Sequence, residues 1–258
     1  MTHPQHHPLN NPAGIVVPRY LGETVKPTSG ESYDWHAHDF GQLISAASGS
    51  MYVGTPGHVM LLSPAMTLWI PPHVEHWMRY GANNEMRYVD VNQEEARKIG
   101  ATCRIMEMTP LMSALMSSTV PSSDPGRAND HTESLLDLLR HELIAARDVP
   151  LSIAMPQDKR IRQVAKAALI NPGIITSIDA WLAHAPASRK TIERLFVAET
   201  GMPPSRWLRY ARVLHAISKL AAGEKVSSVA FDMGYGSSSA FSYMFRRILG
   251  CSPRDFCS

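Results

Sequence analysis

The sequence predicts an α+β chain in two parts, an N-terminal β-barrel or sandwich followed by an all-α domain with two helix-turn-helix motifs. Three observations predict it. Residues 188–207 (SRKTIERLFVAETGMPPSRW) and 237–256 (SSSAFSYMFRRILGCSPRDF) repeat one pattern 49 positions apart. From about Gly14 to Val91, short apolar and β-branched runs alternate with turn signals, and helical periodicity replaces them further on. Charge divides near the same place. Residues 1–156 hold 10 Lys and Arg against 16 Asp and Glu, a net of −6, whereas residues 157–258 hold 15 against 7, a net of +8. A basic helical part joined to an acidic β part suggests a polyanion-binding module attached to something else.

At 258 residues the chain is long enough for two hydrophobic cores. It has no run of about eighteen apolar residues, and MTHPQHHPLNNP lacks the apolar stretch of a signal peptide. Cys103, Cys251 and Cys257 have neither metal spacing nor an even count for disulfides. These features lead us to expect a cytoplasmic protein with no membrane partner.

Residues 1–12, rich in His, Pro and Asn, read as a disordered tail. Residues 13–110 form the β part. Its strands are expected at LISAA, MYVG, HVMLL, TLWIP, HWMRY and RYVDV, separated by SGS, TPG, SPAM, PPHVE and GANNE. Short strands at this spacing suit a small sandwich or barrel. Residues 93–118 read as helical, with Met106, Leu111, Leu115 and Met116 as apolar positions, and 117–130 as a loop. A helix over 131–147 carries Leu135, Leu138, Leu139, Leu143 and Ile144, a face for packing on its own domain or for a dimer. Residues 148–157 read as a linker, so 111–157 is a helical connector and linker. Within 158–258 helices are expected at 158–170, 176–185, 188–199, 204–222, 226–233 and 237–249, with a short turn from Ser252.

The repeat has a physical reading. Relative to Phe196 and Phe245, each copy has Ser eight residues before, an apolar residue four before and one before, Gly five after and Pro eight after. Ser caps a helix N-terminus, the apolar positions share a face, and Gly closes the helix in the left-handed conformation. Such a helix fits the major groove, where its outward side chains reach base edges. With Ile192, Leu195 and Phe196 inward, the first helix presents Arg189, Lys190, Glu193 and Arg194. The second presents Ser238, Ser239, Ser242 and Tyr243, with Arg246 and Arg247 placed for phosphates. The charged first helix can make bidentate contacts to guanine, so it is expected to dominate base readout.

Residues 158–256 resemble the DNA-binding domain of the AraC/XylS family of bacterial transcription regulators. The matching stretches are RLFVAETGMPPSRWLRYARVLHAISKLAAG and VSSVAFDMGYGSSSAFSYMFRRILGCSPRDF, which includes Ala230, Gly234 and Tyr235, then Phe-Arg-Arg and Gly-x-x-Pro. The resemblance implies base contacts by Lys190, Glu193 and Arg194. It departs at Pro186, where members usually have Gly, and at Tyr243, a place often filled by Arg. The N-terminal part resembles a cupin sensor domain through His36-Ala37-His38, Gln42, Gly49, Pro72 and His76. Cupins bind a metal through a His-x-His pair, a carboxylate and a third His. Here Gln42 stands where the Glu would be, and Gln brings no charge. His36 and His38, two apart on a strand, point to one face. Two occupants are open: a divalent metal that accepts imidazole, such as zinc or nickel, or a small organic effector. The histidines read equally as core remnants. Trp35, Trp69, Trp77, Tyr52 and Tyr88 suggest an aromatic-lined pocket or plain core.

The function expected is a non-enzymatic, sequence-specific transcription regulator responding to an effector in the β domain. Its partners would be double-stranded promoter DNA, the effector, RNA polymerase if it is an activator, and a second copy if it dimerises. A metal-dependent cupin enzyme fused to a DNA-binding domain is the alternative, weakened by the altered ligand set. A nucleoid-type protein binding DNA without sequence preference is disfavoured by the modest basic charge and two distinct helices.

Overall fold

The computed structural model describes residues 20–119, 130–149, 151–170, 175 and 177–257. The tail expected at 1–12 and most of the loop expected at 117–130 lie outside the described residues. Among the described residues ten strands form two antiparallel five-stranded sheets. The first has the order β1 (Tyr20–Val25), β8 (Glu85–Val91), β3 (Gly41–Ser48), β6 (Met66–Ile70) and β9 (Arg104–Glu107). The second has the order β10 (Ser152–Ala154), β5 (His58–Leu62), β4 (Met51–Thr55), β7 (His76–Tyr80) and β2 (Ser32–His36). Alternate residues of both sheets meet between them: Ile44, Leu68 and Met86 from the first, Met51, Val53, Met60 and Met78 from the second.

The strands are covered on their outer faces as well. In β3, Leu43 and Ile44 point to opposite faces and both are fully buried, as is every residue of β6. Such strands read as continuous apolar runs rather than alternating ones, which explains segments like TLWIP. The first sheet's outer face lies under α1 (Gln93–Ile99), α2 (Pro110–Ser118) and α3 (Asp130–Ala145). Leu136, Leu139 and Leu143 of α3 join Leu43, Trp69, Met112 and Met116 in a cluster of their own. The α3 face is thus used in packing on its own domain, while Leu138 and Ile144 stay exposed.

Residues 93–118 are not one helical stretch. β9 interrupts them and pairs with β6, Ile105 lying opposite Leu68. Nor is 148–157 a plain linker, because β10 adds to the second sheet beside β5, with Ile153 opposite Val59. Strands this short are made by their neighbours' open edges, and their own sequence carries almost no period.

The helical part comprises α4 (Lys159–Ile170), α5 (Ile178–Leu182), α6 (Arg189–Thr200), α7 (Pro204–Ala221), α8 (Val226–Asp232) and α9 (Ser238–Leu249), then a 3-10 turn at Asp255–Cys257. Trp181, Phe196 and Trp207 form its aromatic centre, with the two indoles stacked at 5.9 Å. This centre is tied to the second sheet. The Trp207 indole N–H donates to the Ala154 carbonyl of β10 at 2.7 Å. Glu199 at the end of α6 accepts from the backbone N–H groups of Gln157 and Asp158. Ser50 and Ser218 hydroxyls meet at 2.7 Å. One apolar cluster therefore runs from the sandwich interior through Leu151 and Ile153 to Trp207.

Candidate DNA-recognition helices and the histidine cluster

α5 and α6 form one helix-turn-helix, α8 and α9 a second, and α7 joins them. Ser188 caps α6 by accepting from the Thr191 N–H, and Ser237 caps α9 by accepting from the Ala240 N–H. Gly201 and Gly250 end these helices at φ 72° and 81°, where a Cβ would be strained. Ile192 and Phe196 bury one face of α6, and Phe241 and Phe245 that of α9. The faces left outside match the periodicity. On α6, Arg189, Lys190 and Arg194 are exposed and Glu193 half-buried. On α9, Ser239, Tyr243, Arg246 and Arg247 are exposed, with Ser238 and Ser242 half-buried.

The charges on α6 are not equivalent. Arg189 is paired with Glu193 one turn on, at 2.9 Å, and with Asp179 of α5. It clamps the two helices of the first motif together. Lys190 and Arg194 form no ion pair among the described residues, so both are free for an external anion or base edge. The two turns also differ. The second reverses at Gly234, φ 78°. The position 49 residues earlier is Ala185, followed by Pro186, and no residue of that turn has a positive φ. The first turn closes instead with Ala185 N–H donating to Leu182 and Ala187 N–H to Ala185.

Beside α9 lies a basic cleft. Arg206 and Arg209 of α7 line it with Tyr210, Tyr235, Tyr243 and Arg247. The Arg247 guanidinium sits 5.9 Å from the Tyr243 ring centre, and Arg206 stands likewise over Tyr210. Arg206 and Arg209 are not among the residues expected from the sequence. Their three-residue spacing places them on one face of α7, the signal that would have found them.

His36 at the end of β2 lies directly opposite His76 on β7, and His38 follows in the next turn. Ring nitrogens of all three lie within 4.8 Å of one another. Each Nδ1 faces a backbone carbonyl: Asp34 for His36 at 2.7 Å, Phe40 for His38 at 2.7 Å and Val74 for His76 at 2.8 Å. A carbonyl only accepts, so in each neutral ring Nδ1 carries the proton and the lone pair sits on Nε2. The Nε2 atoms of His38 and His76 are buried with no hydrogen-bond partner. Burial pushes both imidazoles down to about 4. On β3, Gln42 donates to the Asp90 carboxylate at 2.9 Å and leaves its own buried Oε1 unpartnered. Burial raises Asp90 to about 7, opposed by the Gln42 hydrogen bond.

The five aromatics expected to line a pocket or to pack as core divide between the two. Trp69 lies on the first sheet's outer face and donates to the Gly100 carbonyl at 2.9 Å. Trp35, Trp77 and Tyr52 line a groove outside the second sheet. Tyr88 alone of the five points inward, its hydroxyl 2.6 Å from that of Tyr80. The interior is packed instead by Met51, Met60, Met66, Met78 and Met86.

Comparison with known proteins fits this architecture. Residues 26–150 match the AraC-like ligand binding domain, and residues 181–258 match a helix-turn-helix domain. The HTH-type transcriptional regulator NimR of Escherichia coli (strain K12) is 28% identical over 218 residues, 84% of this chain and 80% of that protein. The HTH-type transcriptional activator RhaS of Klebsiella pneumoniae (strain 342) is 23% identical, covering 85% of this chain and 86% of its own. Among solved structures, ToxT from Vibrio cholerae aligns with a TM-score of 0.40 at 11% identity, over 93% of this chain and 98% of that one. The two domains together define a DNA-binding transcription regulator with an N-terminal ligand-binding domain. The chain belongs to the AraC family of such regulators. No helix among the described residues is long and apolar enough to cross a membrane.

Proposed function

We propose that this regulator reads its promoter chiefly through α6, with Lys190 and Arg194 on base edges and Glu193 available to cytosine. The observation that carries this is the pair of capped helices of which one presents unpaired cations and the other hydroxyls. Ser238, Ser239, Ser242 and Tyr243 of α9 make the lesser base contacts. Arg246 and Arg247, joined by Arg206 and Arg209, grip phosphates. Arg189 clamps to Asp179 and Glu193 in the free chain, but an exposed ion pair is worth only about 0–1 kcal/mol and can open toward DNA. DNA fragments retained by the purified chain would give the site. On that site Arg194→Ala should cost about 1–3 kcal/mol and relax discrimination at one position. Arg246→Ala should weaken all sequences alike and flatten the salt dependence. Equal losses on specific and random DNA for Arg194→Ala would remove its base-reading role.

His36, His38 and His76 suit a divalent ion that accepts imidazole, such as zinc or nickel. The supporting observation is the set of carbonyl-anchored rings with Nε2 lone pairs turned together, two of them buried and unpartnered. Gln42 Oε1 is the further donor at hand. When bound, such an ion supplies a Lewis-acid centre that an effector's oxygen or nitrogen can join. We read the domain as a sensor rather than an enzyme, because of the acids near the cluster Asp90 is buried and tied to Gln42, and Asp39, beside His38, is exposed. A homodimer through exposed Leu111, Leu138 and Ile144, and RNA polymerase if the chain activates, complete the proposed partners.

A further inference from the structure

A feature that neither the DNA reading nor the histidine cluster uses lies between the two domains. A groove of about 590 Å³ runs between the outer face of the second sheet and α4. Its sheet wall is aromatic. Trp77 lies flat across β4 because its cross-strand partner is Gly54, where a Cβ would collide with the indole. Tyr52 and the half-exposed Trp35 flank it. Its opposite wall is cationic, with Arg162 and Lys166 from α4, and Arg79 adds a third positive charge from β7. None of the three has an ion-pair partner among the described residues, and Asp34 is the one carboxylate in the lining. Two polar atoms here are buried without hydrogen bonds, the Tyr52 hydroxyl and the Arg162 Nε.

Buried donors left unmade are costly, and each orphan is a donor an anion can accept from. Flat aromatic surface opposite unpaired cations is complementary to a molecule with an aromatic body and an acidic group. We infer that this groove is a binding site for small aromatic carboxylates, with the ring against Trp77 and the carboxylate on Arg162 and Lys166. Since the ring wall belongs to the sandwich and the charge wall to α4, such a ligand contacts both domains at once. The site is separate from the histidine cluster and stands or falls without it.

The full chain would be titrated with dansylglycine, which carries a naphthalene and a carboxylate and accepts excitation from tryptophan. Saturable binding with energy transfer from the indoles is expected. Dansylamide, the same fluorophore without the carboxylate, should bind about tenfold more weakly or worse. Lys166→Gln should weaken dansylglycine by about tenfold, Lys166→Arg should restore it, and His76→Ala should leave it unchanged. Trp77→Leu should lower the transfer at saturation. The inference is overturned if the two probes bind alike, if Lys166→Gln has no effect, if His76→Ala abolishes binding, or if nothing saturates by about 1 mM.

Discussion

Asp90 and the pair His38 and His76 titrate in opposite senses within one buried patch. Burial lowers each imidazole from 6.5 to about 4, so the folded chain holds it neutral while the unfolded chain protonates it. That stability is complete above pH 6.5 and is lost as pH falls toward 4. Burial raises Asp90 from 3.8 to about 7, so the folded chain keeps a proton the unfolded chain releases, and its contribution is lost as pH rises. In the shared window the unfolded state gains two protons against one retained by the fold. For the metal-free chain, stability should therefore rise with pH by about 1 kcal/mol per unit between about 4 and 6.5. Asp90→Asn still accepts from Gln42 but removes the offset, and should roughly double that slope. Urea unfolding at a series of pH values would check this; a flatter slope in Asp90→Asn contradicts the assignment. Adding zinc near neutral pH should raise the midpoint in the parent chain and not in His76→Ala.

β10 connects sensor and reader at the level of elements. It completes the second sheet and also accepts the Trp207 indole hydrogen bond. Trp207→Phe keeps most of the aromatic packing and removes that bond, which is worth roughly 1 kcal/mol. The expected result is faster amide exchange at Ile153 and Ala154 with little change in β3 or β6; unaltered exchange at β10 would show that the bond does not hold the domains together. β10 also marks what the sequence could express. The six central strands and the two recognition helices were legible because each carries its own period and stop signals, Ser188 with Gly201 and Ser237 with Gly250 among them. β9 and β10 were not, since three or four residues hold no period and their existence depends on open edges at β6 and β5. The histidines were legible through the two-residue spacing of His36 and His38. The groove beside Trp77 was not, because it is made by residues from both ends of the chain. Which tryptophans pack as core and which line a groove was not legible either, because composition is the same whichever face they occupy.

At the scale of the whole molecule, two recognition helices stand on one rigid scaffold, α7, with a sensor sheet docked against the first motif. α7 spans Pro204–Ala221, and its buried face from Trp207 through Leu214 to Leu220 fixes α6 relative to α9. We propose that this scaffold sets both helices on one face of the duplex, in successive major grooves about 34 Å apart. The most direct test is a methylation-protection footprint of the full chain on a fragment it selects. Two major-groove segments about one helical turn apart should be protected, guanines in one losing their protection in Lys190→Ala and Arg194→Ala. The other segment should respond to Tyr243→Ala and persist in those variants. A single protected segment, or one pattern that fades uniformly whichever helix is altered, would contradict the account.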